Sequence, residues 1–295
     1  MIVLIISALA LIPVFGIWGF LELKNLIKKE YVIESPDIPE SLHGKKIALI
    51  SDQHGIYQGK GNKKTFDILD EASPDFIVIA GDMVNGRGKN ELKYVSEFLN
   101  GLKRYNKPVI YTFGNHEEKM HKYHPYYYKK LRRIAKLRSI RLNNRAYSPK
   151  ECPDVLFVGL NLPLELYHSY DEDKLIYRRT KRVIRKHDRL NGYYAGEQDN
   201  RYKILIAHDP EHMEKYAECG YDLCLSGHIH GGIIRVPFLG GLITPRLQFF
   251  HKVSKGYYES GKMKMIISGG AGWHEIPFRI FNKPEIPVIV FKKTN

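Results

Sequence analysis

The segment "IALISDQH", residues 47–54, joins a short apolar run to polar side chains that include Asp52 and His54. The pattern recurs, because "FIVIAGD" ends on Asp82 and "VIYTF" leads into "GNHE" at 114–117. Runs of four or five apolar residues are too short for separate helices and are typical of buried strands. Each polar cluster is therefore expected just beyond the carboxyl end of a strand.

Two later runs repeat this arrangement. "ILIA" leads into His208, and "DLCL" leads into "SGHIHGG" at 226–232. The intervals between the first clusters leave room for a helix and its loops, and "KKTFDILDEA" and "LKYVSEFLNGLKRY" have helical apolar spacing. The sequence thus predicts an α/β fold whose strand ends converge on one edge, where such sheets bind ligands.

The side chains at these strand ends are typical of a metal site. All are oxygen or imidazole donors: Asp52, His54, Asp82, Asn115, His208, His228 and His230. Without a thiolate the set suits manganese, iron or zinc, with manganese favoured, and seven donors are enough for two ions. Two ions about 3.5–4 Å apart clamp a phosphoryl group and lower the pKa of a shared water, so that a bridging hydroxide attacks the phosphorus.

The charge of such a site favours an anionic substrate. Two divalent ions bring four positive charges, and Asp52 and Asp82 return two negative ones, with Asp82 the favoured bridging ligand. In an extended segment residues i and i+2 face the same way, about 6.5–7 Å apart, so His228 and His230 are expected on different ions. Gly231 and Gly232 are expected to form a turn. A lone D-x-H or G-D motif usually marks an ordinary turn, and the order of all five motifs carries the prediction.

The ordered motifs closely resemble those of the calcineurin-like metallophosphoesterase superfamily, from about residue 44 to the end. "SGHIHGGIIRVP", "SGGAGWHEIPFRI" and "KPEIPVIVF" are similar to the membrane-anchored bacterial branch related to the YkuE and YaeI proteins. Some members of that wider branch hydrolyse UDP-2,3-diacylglucosamine in lipid A synthesis. The resemblance implies a four-layer α/β/β/α sandwich with a dinuclear site where its two sheets meet.

The resemblance also implies a role for each donor. The first ion would be held by Asp52, His54, Asp82 and His230, and the second by Asp82, Asn115, His208 and His228. His116 would not bind metal but would stabilise the phosphoryl oxygens or protonate the leaving alkoxide, and Asn115 would join it as a catalytic and substrate-binding residue.

Three positions depart from the superfamily pattern, namely Gln53, Ile229 and Asn85. Neither Gln53 nor Ile229 removes a ligand. Asn85 stands where many members have an Asp that orients His116, so we expect an amide to orient this imidazole without stabilising its charge. We therefore expect His116 to give a lower apparent pKa on the rate profile than in relatives with Asp at this position, and we expect Asn85→Asp to raise it.

The overall composition limits the class of protein. A chain of 295 residues with 43% hydrophobic and 26% charged residues is long enough for one large or two small packed domains. A net charge of +14 favours anionic partners, and the alternative is a basic surface that is simply exposed to solvent. Cys152, Cys219 and Cys224 contain no CxxC pair, which argues against a disulfide framework and favours a reducing compartment.

The first 30 residues are predicted to be a membrane anchor with a basic flank, followed by one catalytic domain at 31–295. Residues 1–21 contain no charged side chain and are long enough for one spanning helix. A cleaved signal or a buried helix are the alternatives. Lys24, Lys28 and Lys29 follow the apolar run and place the catalytic domain in the cytoplasm, with Trp18 suited to the interface. Residues 31–46 are predicted to form a linker and an opening strand.

Two basic stretches are predicted to contact anionic lipid or, less favourably, nucleic acid. Residues 119–150 contain eleven Lys or Arg and no acid, and "HPYYYKKLRRIAKLR" predicts an amphipathic helix. Its apolar face would contain Tyr127, Leu131, Ile134 and Ala135. The second stretch is 177–189. The alternative is that both are solvated faces of helices whose apolar residues belong to the core.

The sequence therefore predicts a phosphoesterase that hydrolyses a phosphodiester or pyrophosphate bond in a membrane-associated substrate, such as a phosphorylated lipid or a lipid-linked nucleotide, with no obligate protein partner. A nuclease or cyclic-nucleotide phosphodiesterase is the alternative with the same chemistry. A membrane scaffold with a vestigial metal site is the alternative without chemistry.

Overall fold

Two six-stranded sheets form the centre of the molecule in the computed structural model, which describes residues 13, 15–167, 200–232, 234–236, 240–243, 253–273 and 277–295. The strands of the first sheet, in spatial order, are β1 (Ile27–Ser35), β14 (Glu285–Lys293), β2 (Lys46–Ile50), β3 (Phe76–Ala80), β4 (Val109–Thr112) and β5 (Ile140–Arg141). Neighbours are parallel except β14 and β2.

The second sheet has a parallel centre and two antiparallel edges. Its strands, in spatial order, are β12 (Gly256–Ser260), β13 (Met263–Ile267), β9 (Leu223–Ser226), β8 (Tyr202–Ala207), β7 (Val155–Leu160) and β6 (Arg145–Tyr147). A separate ribbon pairs β10 (Ile234–Val236) with β11 (Gly240–Ile243). The five predicted strands are all present, and they are divided between two sheets, as the family resemblance implied.

Six helices are described: α1 (residues 15–23), α2 (Lys63–Ala72), α3 (Lys89–Leu102), α4 (Asn115–Tyr123), α5 (Pro125–Arg138) and α6 (Met213–Glu218). The predicted helix "KKTFDILDEA" coincides with α2. The second predicted helix starts earlier than its apolar spacing indicated, at Lys89, and its last predicted residues form a 3₁₀ turn at Lys103–Tyr105.

The two sheets pack face to face. Their inner faces share one core, in which Leu49 and Val78 of the first sheet lie with Phe157 and Ile206 of the second. The outer face of the first sheet is covered by α2, α3 and α5. On the outer face of the second sheet the described chain contributes α6, through Tyr216. Every residue of β3 is buried, as expected for a strand covered on both faces. The predicted mixed α/β fold with two sheets is confirmed.

The basic helix α5 packs its apolar side into the protein. Leu131 and Ala135 are buried, and Tyr127 and Ile134 are partly buried against the first core. Because this face is already covered, only the basic face remains for an anionic partner. Tyr128, which the predicted apolar face omitted, is buried as well. The second basic stretch, 177–189, lies outside the described residues.

The predicted anchor falls mostly outside the described residues, because residues 1–12 and 14 are not among them. None of the helices in the described ranges combines the length and the apolar character needed to cross a bilayer. The boundary predicted between residues 30 and 31 falls inside β1, which pairs with β14 from Ile27 to Ser35. Residues 31–46, predicted to form a linker and an opening strand, therefore begin with strand residues, and this strand starts earlier, at Ile27.

Candidate metal centre

The predicted ligands lie on loops that continue directly from the strand ends. The amide of Asp52 donates to Gly81 O at 3.1 Å, and that of His54 donates to Asp82 O at 3.0 Å. These bonds extend the pairing of β2 and β3 by two residues. The first three motifs thereby lie next to one another at the end of the first sheet.

Five of the seven predicted ligands have a left-handed backbone. The values of φ are 53° at Asp52, 51° at His54, 54° at Asp82, 75° at His228 and 55° at His230. This conformation costs about 1–2 kcal/mol for a residue with a Cβ, and such residues concentrate at functional sites. The surrounding structure holds these five residues in this conformation, and their side chains converge on the centre as a result.

Asp82 lies at the centre of the cluster. Its Oδ2 is 3.0 Å from Nε2 of His208, 3.9 Å from Nε2 of His116 and 4.0 Å from Nε2 of His54. Its Oδ1 accepts a hydrogen bond of 2.9 Å from the amide of His116, in the first turn of α4. A helix amino terminus favours a negative charge at this place. One carboxylate oxygen therefore faces three imidazoles.

Asp52 joins the two sheets. Both of its oxygens accept from the amide of His228, at 3.0 and 3.1 Å. Oδ1 also lies 3.5 Å from Nε2 of His230 and 3.8 Å from Nε2 of His208. Asp52 is completely buried, as is His208. The first sheet thus contributes a carboxylate to imidazoles that the second sheet delivers.

The hydrogen bonds of the imidazoles fix which ring nitrogen faces the centre. Nδ1 of His208 donates to Ala80 O at 2.6 Å, and Nδ1 of His54 donates to Val84 O at 3.3 Å. A neutral ring that donates from Nδ1 presents a lone pair at Nε2, which is the state of a metal ligand. Nε2 of both residues faces the centre.

His230 has the opposite arrangement. Nη2 of Arg279 lies 3.3 Å from Nδ1 of His230, and a guanidinium only donates, so Nδ1 accepts. Nε2 of His230 lies 3.1 Å from Nε2 of His54. A neutral His230 that binds a cation through Nε2 carries its proton on Nδ1, so its contact with Arg279 must change when metal binds.

The donor set fits divalent cations. Three groups of buried residues place their ligand atoms within 4.8 Å of one another: Asp52, His54 and His230; His54, Asp82 and His116; and Asp82, His208 and His228. Oδ1 of Asn115 is buried without a hydrogen-bond partner. Buried acceptors normally have partners, so this oxygen is arranged for something other than a protein donor. Six of the seven predicted ligands belong to these groups, and Asn115 precedes His116.

The pKa values of the two carboxyl groups are shifted in opposite directions. Burial raises the pKa of Asp52 to about 6, against the opposing charge of His208. Burial also acts on Asp82, but the positive charges of His208, His116 and His54 outweigh it and hold the pKa of Asp82 well below its usual range. Burial would lower the pKa of His208, yet the two carboxylates raise it to about 10. The metal-free centre therefore retains protons that a cation must displace.

His116 is oriented by main chain, which corrects the expectation for Asn85. Nδ1 of His116 donates to the carbonyl of Asn85 at 2.9 Å, while the amide Nδ2 of Asn85 donates to His54 O at 2.9 Å. The side chain of Asn85 thus orients the His54 loop and not the imidazole of His116. Nδ1 is held protonated by the carbonyl, and Nε2 faces Asp82 and Nζ of Lys119, the latter at 3.5 Å.

Glu117 is a site residue that the sequence reasoning quoted without giving it a role. Its buried carboxylate accepts from the amides of Asp82, Met83 and Gly114 at 3.0, 2.9 and 2.8 Å, and from the hydroxyl of Tyr111 at 2.8 Å. Burial and the charge of Asp82 raise its pKa to about 7. Glu117 fixes the loop that carries Asp82 to the start of α4. Its position in the "GNHE" motif is the sequence feature that could have identified it as a site residue.

Two glycines admit the carboxylates to the centre. A Cβ on Gly227 would lie 2.4 Å from Oδ2 of Asp52, and a Cβ on Gly114 would lie 2.4 Å from Oδ1 of Asp82. Both distances are far below van der Waals contact, so any side chain would displace a carboxylate. These positions explain why each motif begins with glycine.

Buried carboxylates, imidazoles and an unpartnered amide oxygen gather where the two facing sheets end and form a candidate site for divalent metal ions. The chain belongs to the calcineurin-like phosphoesterase family, whose model matches residues 45–232. It is similar to the "uncharacterized metallophosphoesterase YkuE" of Bacillus subtilis, with 26% identity over 95% of this chain and 91% of that protein. A metallophosphoesterase of Aquifex aeolicus is 26% identical over 94% and 96% of the two chains.

A third relative is named a transmembrane protein. The "transmembrane protein with metallophosphoesterase domain" of Danio rerio is 25% identical over 99% of this chain and 62% of its own length.

Proposed function

We propose that the chain is a membrane-anchored, dinuclear phosphoesterase that hydrolyses a phosphodiester or pyrophosphate bond in a phosphorylated lipid or lipid-linked nucleotide. The supporting observation is the position of Asp82, which belongs to two of the three ligand groups and faces three imidazoles with one oxygen. This is the arrangement expected of a bridging carboxylate.

In this proposal each ion has four ligands: Asp52, His54, Asp82 and His230 for the first, and Asp82, Asn115, His208 and His228 for the second. Manganese is the favoured metal, because the donors are oxygen and imidazole. When bound, two such ions supply Lewis acidity and a water of lowered pKa. The two aspartates leave positive charge for an anionic ester to neutralise.

His116 acts on the leaving group. Its Nδ1 proton is fixed by Asn85 O, so only Nε2 exchanges protons with the substrate. Nε2 lies 3.9 Å from Oδ2 of Asp82, beside the proposed metal ligands. From there His116 donates a proton to the departing alkoxide or a hydrogen bond to a phosphoryl oxygen.

The membrane part of the proposal has three supports. Residues 1–21 lack charged side chains. The apolar face of α5 is packed in the core, which leaves a row of exposed Lys and Arg for anionic headgroups. The Lys residues after the apolar run favour a cytoplasmic location for the catalytic domain. We propose that this domain comprises residues 31–295 and has four α/β/β/α layers. Nucleic acid is a less favoured partner for the same basic surface.

A substrate screen tests the proposal. The full chain in detergent, stripped with EDTA and reloaded with manganese, iron or zinc, is offered chromogenic mono- and diesters, phospholipids, nucleotide-linked lipids and single-stranded DNA. Hydrolysis of lipid substrates that is lost in His228→Ala and Asp82→Asn is the expected result. Cleavage of DNA with steep salt dependence would favour the nuclease alternative. Bound metal without turnover on any ester would favour the scaffold.

A further inference from the structure

Helix α1 packs against the loop 277–284 beside the metal centre. Glu22 and Leu23 are buried, and the carboxylate of Glu22 accepts a hydrogen bond from the amide of Asn282. The ring of Trp18 contacts that of Phe281 edge-on, with centroids 4.6 Å apart. Glu22 is the first charged residue of the chain, and it is used here to bind a loop from the opposite end of the sequence.

The same loop supports His230. The side-chain amide of Asn282 donates to the carbonyls of His230 and Gly232, at 2.8 and 2.5 Å. Arg279, also buried, donates to Gly269 O at 2.6 Å and to Gly272 O at 2.7 Å, and contacts Nδ1 of His230 at 3.3 Å. A single residue, Asn282, therefore connects the carboxylate of Glu22 with the backbone of a proposed ligand.

A buried ion pair fixes the far end of this loop. Nζ of Lys255 lies 2.9 Å from the carboxylate of Glu285 and donates to Lys283 O at 3.0 Å. Glu285 also accepts from the amide of Gly269 at 3.1 Å. The loop is thus held by the second sheet on one side, by the metal centre on another and by α1 on the third.

The opposite face of α1 is exposed and apolar. Ile17, Phe20 and Leu21 are 63%, 47% and 56% exposed, and at 100° per residue they share one side of the helix. Nζ of Lys24 lies 4.3 Å above the ring of Phe20, at the end of this side. A stripe of large apolar side chains ending in a Lys is typical of a helix at the boundary between acyl chains and headgroups. The uncharged residues that precede it indicate lipid as its partner.

We propose that α1 is a structural part of the metal centre as well as its attachment to the bilayer: one face contacts lipid, and the other positions His230 through Glu22 and Asn282. The inference rests on the proposed membrane-bound phosphoesterase and extends it, because the anchor then determines metal binding. Asn282, Glu22 and Arg279 are positioning residues. The arrangement also places the metal centre next to the helix that contacts lipid.

Two glycines of α1 provide a matched test. A Cβ on Gly19 would lie 2.5 Å from the ring of Phe278, whereas a Cβ on Gly16 would meet nothing within 4 Å. Gly19→Leu therefore forces the ring of Phe278 and α1 apart, and Gly16→Leu makes the same chemical change without contact. Both full chains are reconstituted into vesicles of phosphatidylcholine and phosphatidylglycerol, stripped with EDTA and titrated with manganese by calorimetry. Gly19→Leu should lower manganese affinity by about 10- to 100-fold, the usual effect of losing support around a ligand, and Gly16→Leu should not.

Equal affinities in the two variants would overturn the inference, as would equal losses. Circular dichroism checks folding, and Glu22→Gln provides a milder second variant that should lower affinity in the same direction. If Gly19→Leu shows the metal defect but the wild type hydrolyses no ester, the positioning role stands and the proposed activity fails. If the wild type is active and Gly19→Leu binds metal normally, the activity stands and the positioning role fails.

Contact with lipid is tested separately. An environment-sensitive dye attached at Ile17→Cys should shift to shorter emission wavelengths in vesicles, while the same dye at Lys93→Cys on α3 should not, since Lys93 is 79% exposed on the water-soluble domain. Identical spectra at the two positions would refute the lipid contact.

Discussion

Replacing Asp52 by Asn is expected to stabilise the metal-free protein while removing a metal ligand. Burial raises the pKa of this carboxyl from 3.8 to about 6. A carboxyl group whose pKa is raised on folding makes the folded protein less stable as the pH rises from the unfolded-state pKa towards the folded-state pKa. At about 1.4 kcal/mol per unit, the ionised carboxylate costs on the order of 3 kcal/mol at pH 8 and about 1 kcal/mol at pH 4.5. Asn keeps an acceptor for the amide of His228 and carries no charge.

The free energy of unfolding in urea measures this difference. Full-length wild type and Asp52→Asn, treated with EDTA and held in a mild detergent, are compared at pH 8 and pH 4.5. The variant should be more stable at pH 8, and its advantage should shrink to about one third at pH 4.5. A variant no more stable than wild type at pH 8, or an advantage that does not depend on pH, would refute the reasoning.

Asp82→Asn is the matched substitution and should act in the opposite direction. Imidazolium charges hold the pKa of Asp82 well below 3.8, so its contribution is present above that pH and is lost as the pH falls through its folded value. Its removal should destabilise the metal-free protein at pH 8. Manganese at 100 times its dissociation constant should stabilise the wild type by about 2.7 kcal/mol and neither variant comparably. Two adjacent carboxylates with the same sign of effect would contradict the assignment.

Three further outcomes are expected. Gly227→Ala should expel Asp52 and abolish tight manganese binding, measured as retained metal by mass spectrometry, while Gly16→Ala should retain it. Because Asn85 orients His116 through its backbone carbonyl, Asn85→Ala should leave the acid limb of the pH–rate profile unchanged. A change of about one unit in the apparent pKa of that limb would contradict the structure. Because the pKa of His208 is raised to about 10, manganese binding at pH 7.5 should release protons, and calorimetry in buffers of different ionisation enthalpy should detect them.

The strand ends were predictable because they depend on local sequence. A run of five apolar residues such as Phe76–Ala80 is typical of a doubly covered strand, and the polar residue after such a strand is expected at the sheet edge. The helix α2 was predictable for the same reason. The division of the strands between two sheets was not, since a parallel strand has the same apolar pattern in either sheet.

The supports of the site could not be derived from local pattern. Glu22 and Asn282 are separated by 260 positions in the chain, and nothing in either segment marks them as partners. Arg279 lies in a quoted motif, but its contact with His230 depends on how the loop folds back. The side chain of Asn85 was assigned to His116 because of its position alone, and the backbone carbonyl makes that contact instead. Such tertiary contacts determine which atom of a motif does the work.

The two halves of the metal centre are supported by different parts of the fold. His230 depends on the loop 277–284, which α1 contacts, whereas Asp82 depends on Glu117 at the start of α4. A change at Gly19 should therefore weaken binding of the first ion and leave binding of the second. Since Asp82 serves both ions in the proposed centre, loss of Glu117 should weaken the binding of both and reduce turnover. In the proposed centre, α1 thus supports one ion of the pair, whereas Glu117 in the core of the fold supports both.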